Sequence, residues 1–267
     1  MLLLVSGKLL SQNIFDYDHS IQYAEHLKNI KQYSLAAQEY ERLHFLKPES
    51  DSLKLLLIKT YRQGSLFDDA IKNTELFYPD PVQMPAPFAE EYEKSLLLNK
   101  SFDKALTFSS QNKKIDTGQK FFFGLNSLML NGKWKEAEKY SLKNDSSHVM
   151  IPPEYVLLLA QAKQSQHRSP GLAMCLSAII PGAGKVYTKN WKDGFVSFVF
   201  IGANAYQAYR GFKKNGTESV YGWIFASVGT GFYLGNLYGS FKAAKRFNQK
   251  IKNSYIKKVE ELFNNNN

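Results

Sequence analysis

The chain has 267 residues, room for two ordinary domains, and 44% hydrophobic content with only nine prolines excludes wholesale disorder. It carries 34 Lys/Arg against 24 Asp/Glu, but residues 1–166 hold twenty of each sign, so the whole net charge of +10 lies in 167–267. The single cysteine, Cys175, excludes an intramolecular disulfide, and the positive residues flank apolar segments instead of forming a stripe, which argues against nucleic acid as a partner.

At the N-terminus, Met1 to Leu10 is apolar apart from Ser6, Gly7 and Lys8, and Ser11-Gln12-Asn13 follows. Residues 1–13 read as the end of a truncated signal peptide or as a frayed helix start. They are too short to span a bilayer core, which takes about 20 helical residues.

From about Tyr17 to Asn144 the chain repeats, with Ala36, Ala70, Ala105 and Ala137 spaced 34, 35 and 32 apart, a period typical of helix-turn-helix arrays. The first unit offers Ala24, Leu27, Tyr33, Ala36, Tyr40, Leu43 and Pro48; the second offers Ile58, Tyr61, Gly64, Phe67, Ala70, Phe77 and Pro81. Leu96, Phe102 and Ala105 mark the third, and Leu125, Leu128, Gly132, Trp134 and Ala137 the fourth. In the second unit Leu55, Leu56, Ile58 and Tyr61 fall at helical spacing, Arg62-Gln63-Gly64 interrupts, and Phe67, Ala70, Ile71 and Leu76 resume it. One such hairpin cannot bury its apolar face alone, so several must stack.

Small residues where helices touch, an aromatic before each second helix and a closing proline resemble the tetratricopeptide repeat family over about half the chain. Units one and two match best, and the Trp expected near each unit's start is absent. The resemblance implies an all-α solenoid of about four helical hairpins over 17–167 that binds a protein or peptide. Pro153 to His167, with Tyr155, Val156, Leu157, Leu158, Leu159 and Ala162, reads as its capping helix, with proline well placed in the first turn. Tyr23, Tyr40, Tyr61 and Phe122 are candidates to line a peptide groove, although aromatics at helical spacing more often fill a core.

Residues 169–241 read as a membrane domain. A short helix over 171–180 is stopped by Pro181, Gly182 and Gly184, and Tyr187 and Trp191 then anchor a turn at the membrane surface. The glycines are not a phosphate loop, because Ile179 and Val186 stand where that motif needs Gly and Ser/Thr. Segments 194–212 and 219–241 are long enough to span a bilayer as an antiparallel pair. Gly231, Gly235 and Gly239 at spacing four, with Asn204 and Asn236, predict close helix packing glued by amides. If the chain turns near Asn215, Asn236 lies level with Gly194 and bonds to the turn Pro181 to Asp193.

The run Leu176 to Tyr187 (Leu-Ser-Ala-Ile-Ile-Pro-Gly-Ala-Gly-Lys-Val-Tyr), Trp191 with Asp193-Gly194, and Phe232 to Gly239 (Phe-Tyr-Leu-Gly-Asn-Leu-Tyr-Gly) resemble small bacterial membrane domains of the two-helix "TM-two" type. Lys185 departs from that pattern, where a glutamine often follows the glycine. The resemblance implies a hairpin membrane domain without an agreed activity.

Residues 242–267 form a basic tail, Lys242, Lys245, Arg246, Lys250, Lys252, Lys257 and Lys258, expected to be cytoplasmic and on anionic lipid. The repeats are periplasmic if 171–180 crosses the membrane and cytoplasmic if it only dips in, and a signal peptide favours the first. No metal-ligand spacing or acid-base cluster involves His19, His26, His44, His148 or His167, so neither cofactor nor enzyme activity is expected. The function expected is a scaffold at a bacterial inner membrane that holds a protein or peptide, with a role in envelope assembly. The rival is a membrane transport or insertion component that works through the hairpin.

Overall fold

A computed structural model describes residues 16–143, 152–165 and 167–265. The signal-peptide reading of 1–13 and His148 lie outside the described residues. Among those described there are thirteen α-helices and no strand, as the all-α reading expects. The chain divides into two compact units, Met1–Pro152 and Pro153–Asn267.

The first unit contains four helical hairpins: α1 (Tyr17–Asn29) with α2 (Tyr33–Leu46), α3 (Asp51–Gln63) with α4 (Phe67–Phe77), α5 (Ala86–Leu98) with α6 (Phe102–Gln111), and α7 (Thr117–Leu130) with α8 (Trp134–Lys143). Each hairpin packs on the next through α2 on α3, α4 on α5 and α6 on α7, while α5 touches both α3 and α7. Three of the first helices start at side chains that accept a free backbone N–H: Asp16 from His19, Ser50 from Leu53, and Asp116 from Gly118 and Gln119. The alanines of the repeat, Ala36, Ala70, Ala105 and Ala137, are all fully buried, so the sequence period marks where second helices pack closest. Around them Leu43, Leu53, Leu57, Ile58 and Leu96 lose their solvent, at about 1.5–3 kcal/mol each.

A second periodic feature precedes each alanine by five residues. Lys31, Ser65, Lys100 and Gly132 all have φ between 60° and 68°. After each, an N–H bonds back to the first helix: Gln32 to Leu27 O, Leu66 to Tyr61 O, Ser101 to Leu96 O and Lys133 to Leu128 O, at 2.8–2.9 Å. In the second hairpin the left-handed residue is Ser65, not Gly64. Gly64 keeps φ −80° and is required for space, because a Cβ there would stand 2.7 Å from Tyr33 Cβ.

The second unit contains α9 (Pro153–Gln164), α10 (Pro170–Ile179), α11 (Ala183–Tyr187), α12 (Trp191–Asn215), a 3₁₀ turn at Gly216–Glu218, and α13 (Val220–Asn265). α12 and α13 form an antiparallel hairpin, with α9, α10 and α11 packed against α13. This corrects the capping-helix expectation for 153–167: α9 groups with the second unit, and its buried Tyr155, Leu158, Leu159 and Ala162 accompany α13. Asn248 fastens the entry to α10, donating to Arg168 O at 2.9 Å and accepting from Arg168 N at 2.8 Å.

The expected spans 194–212 and 219–241 are helical, but among the described residues no helix is long and apolar enough to cross a membrane. Tyr206, Gln207, Tyr209 and Arg210 dilute α12, and five glycines with Ser227, Thr230, Asn236 and Ser240 dilute α13. The basic segment from Lys242 is no separate tail either, because α13 continues through it to Asn265 as one helix of 46 residues.

Candidate functional site

Local sequence sets the geometry of the second unit. Ser169 caps α10 by accepting from Leu172 N, and Pro170 fills its first turn. The helix stops at Pro181, and Gly182 takes φ 88° to turn the chain into α11. A Cβ on Gly182 would stand 2.0 Å from Gly194 O, and one on Gly184 would stand 1.8 Å from Ala173 O. Farther along the hairpin, a Cβ on Gly211 would meet Gly222 Cα at 2.6 Å. These glycines permit close backbone approach, and Tyr187 lies beneath the Arg168 guanidinium, 4.6 Å from its ring centroid.

The interior is small and polar. Ser177 and Ser240, both fully buried, share a hydrogen bond of 2.7 Å, and Gly184 N donates to Ser177 Oγ at 2.9 Å. Asn236 is 3% exposed, and its Nδ2 donates to Ser177 O at 3.4 Å while its Oδ1 has no partner. The other buried positions of α12 and the first part of α13 include Gly194, Asn204, Ala208, Gly211 and Gly222. Most large apolar side chains face outward instead: Phe195, Phe198, Phe200, Trp223, Ile224 and Phe232 are all about half exposed.

No protein family, curated protein or solved structure matches this chain.

The glycine expectation is corrected in detail. Gly231 and Gly235 would meet nothing within 4 Å of an added Cβ, so they are not packing contacts. Gly239 lies under Lys185, whose Cε would be 3.3 Å from that Cβ. Gly231 and Gly235 instead border an opening of about 340 Å³ with Lys185, Val196, Phe200, Phe232 and Asn236. Asn204 donates to Phe200 O within its own helix and packs beside Gly229, where a Cβ would be 3.2 Å from Asn204 Cβ. Asn236 bonds to Ser177 in α10 rather than to the turn that follows it. Within the expected surface turn, Pro181 and Tyr187 are half-buried, Gly182 and Gly184 are buried, and Trp191 is an exposed first residue of α12.

In the first unit Tyr40 and Tyr61 are core residues, with Tyr61 Oη donating to Glu41, so neither is free to meet a partner. Phe122 is half-buried and Tyr23 is exposed. An opening of about 640 Å³ lies elsewhere, between α4, α5 and α6, lined by Glu75, Tyr78, Met84, Tyr92, Lys104 and Phe108. Tyr92 and Lys104 both donate to Glu75 Oε1 at 2.5 Å, and these two donors hold its carboxyl below the usual range against the effect of burial. Sequence periodicity did not mark this opening, because it is formed by a widened connection, Tyr78 to Pro85, between two hairpins. Asn112 closes that connection by donating to Pro81 O and Met84 O.

Proposed function

We propose that the chain is a membrane-held scaffold whose tetratricopeptide-like hairpins hold a protein or peptide segment. The observation that carries the membrane half is the inverted packing of 170–241 in the second unit, small and polar within and large and apolar without. In water such a surface needs cover, whereas in lipid, close packing through small residues and buried hydrogen bonds is the usual means of helix association. The hairpin is held in lipid by its aromatic and aliphatic face, without needing a conventional spanning stretch. The basic residues from Lys242 onward favour the cytoplasmic side of a bacterial inner membrane and its anionic lipid. The groove of the first unit, with its paired Glu75 and Lys104 over Tyr92 and Phe108, offers an extended peptide both charge and apolar contact. On this reading the repeats recruit an envelope partner and the hairpin keeps it at the surface, with no reaction catalysed.

The test is fractionation followed by side-specific labelling of the full chain in bacterial cells. Exposed single cysteines replace Lys114 in the repeats and Ser254 in α13, in a Cys175→Ser background. The chain should stay with membranes after a carbonate wash, and because Asn248 holds Arg168 at the basic end, so that 171–180 only dips in, an impermeant thiol reagent should reach positions 114 and 254 only after lysis. Recovery in the soluble fraction overturns the membrane reading. Labelling of position 114 in intact cells overturns cytoplasmic repeats alone.

A further inference from the structure

We propose that the face of α13 from Gly231 to Lys250 is a binding groove for one anionic phospholipid. It takes an acyl chain at the glycine end and the phosphate at the basic end; this inference rests on the membrane reading above. Gly231, Gly235, Gly239, Ala243, Arg246 and Lys250 recur at three- and four-residue spacing, so they lie along one side of the helix. Two openings share that side and meet at Lys185. The first, about 340 Å³, has apolar walls of Val196, Phe200, Ile201 and Phe232 over the bare backbone at Gly231 and Gly235. The second, about 730 Å³, brings together Lys185, Lys189, Arg246 and Lys250.

The charges in the second opening do not balance internally. Its one carboxylate, Asp193, accepts from Asn190 Nδ2 at 2.5 Å, and no carboxylate pairs with Lys185 among the described residues. Lys185 Nζ instead donates to Ser197 Oγ at 2.7 Å, which leaves an ammonium at the junction with donors to spare. Asn236 lines the apolar opening, nearly fully buried, with its Oδ1 unpartnered, so the inner wall, which Lys185 also lines, carries a polar atom that still awaits a donor. Dimensions agree as well. Gly231 to Arg246 is fifteen helical steps, about 22 Å, close to half of the roughly 40–45 Å of a bilayer with its headgroups. A free phosphate satisfies only the basic end, whereas a lipid of one leaflet fills both.

Native mass spectrometry of the full chain, released from detergent and titrated with phosphatidylglycerol or phosphatidylcholine, tests the proposal. One phosphatidylglycerol should be retained per chain, at least tenfold more tightly than phosphatidylcholine. Lys185→Glu and Gly235→Leu should each reduce that retention by fivefold or more. Gly202→Leu places the same bulk at an exposed α12 site with nothing within 4 Å, and should leave retention unchanged. Equal retention of both lipids, equal losses in all three variants, or glycerol phosphate binding as tightly as the lipid would overturn the groove. Flotation of the wild-type chain with vesicles of either lipid keeps the two ideas apart. A chain that floats without a lipid preference defeats only the groove, and one that floats with neither defeats the membrane reading.

Discussion

Glu93 is fully buried on α5, where Ser109 Oγ donates to one carboxyl oxygen and the other has no partner. Burial pushes its carboxyl up from 4.5 to about 8, with the Ser109 bond acting the other way. The folded first unit therefore keeps a proton through neutral pH that the unfolded chain loses near 4.5, and its stability falls as pH rises between those values. The slope is at most about 1.4 kcal/mol per pH unit. Glu93→Gln should flatten it, and thermal unfolding at pH 5 and pH 9 reads this directly: the variant gains on the wild type only at the higher pH. Glycines give a contrast at the same scale. Gly184→Ala should cost about 3 kcal/mol or more because its Cβ collides with Ala173 O, whereas Gly231→Ala should be neutral or stabilising by up to about 1 kcal/mol. Unfolding in detergent ranks the two, and similar losses would return Gly231 to a packing role. The sequence showed both glycines but not which had a neighbour, since spacing assigns a residue to a helix face without saying what stands opposite. The same ambiguity left Tyr40 and Tyr61 open between a groove and the core, and the core claims them.

Hairpins were the most legible elements. The alanine period placed four second helices correctly, and Tyr33, Phe67, Phe102 and Trp134 turned out to be their first residues. The left-handed turn residue escaped notice because Lys31, Ser65 and Lys100 do not advertise a positive φ as glycine does. Contacts between hairpins were also illegible, and one of them is ionic. Arg62 on α3 donates to Glu91 on α5 at 2.6 Å, with both side chains largely buried and Lys94 Nζ 3.8 Å from the same carboxylate. Arg62→Met should destabilise the first unit by about 3 kcal/mol, the low end for a broken buried pair because Lys94 remains. Adding Glu91→Leu should restore much of the loss. A double mutant no more stable than the single one would show that the pair does not join the hairpins.

Across the whole molecule, the division at Pro152 separates two modes of packing that follow from composition. The first unit hides leucine and tyrosine and exposes balanced charge. Over 170–241 the second hides serine, glycine and amide groups and exposes phenylalanine, while α9 and the far end of α13 bury Tyr155, Leu158, Val259 and Phe263. The charge asymmetry of the sequence announced that there were two modules, but the inversion became visible only with the contacts, because apolar content alone does not say which way a side chain faces. The unbroken helix α13 adds a mechanical consequence. Its glycine face and the buried Val259 and Phe263 near its far end share one rigid register, so distance and bearing between them are locked together. Inserting two residues near Gln249 would swing the distal segment by about 200° and turn Val259 and Phe263 into solvent, while seven would leave it about 20° from its original bearing, displaced by some 10 Å. If α9 depends on that bearing, the two-residue insertion should weaken its protection from hydrogen exchange more than the seven-residue one. Equal protection in both would mean that the helix serves only as a spacer and not as a phase-keeping shaft.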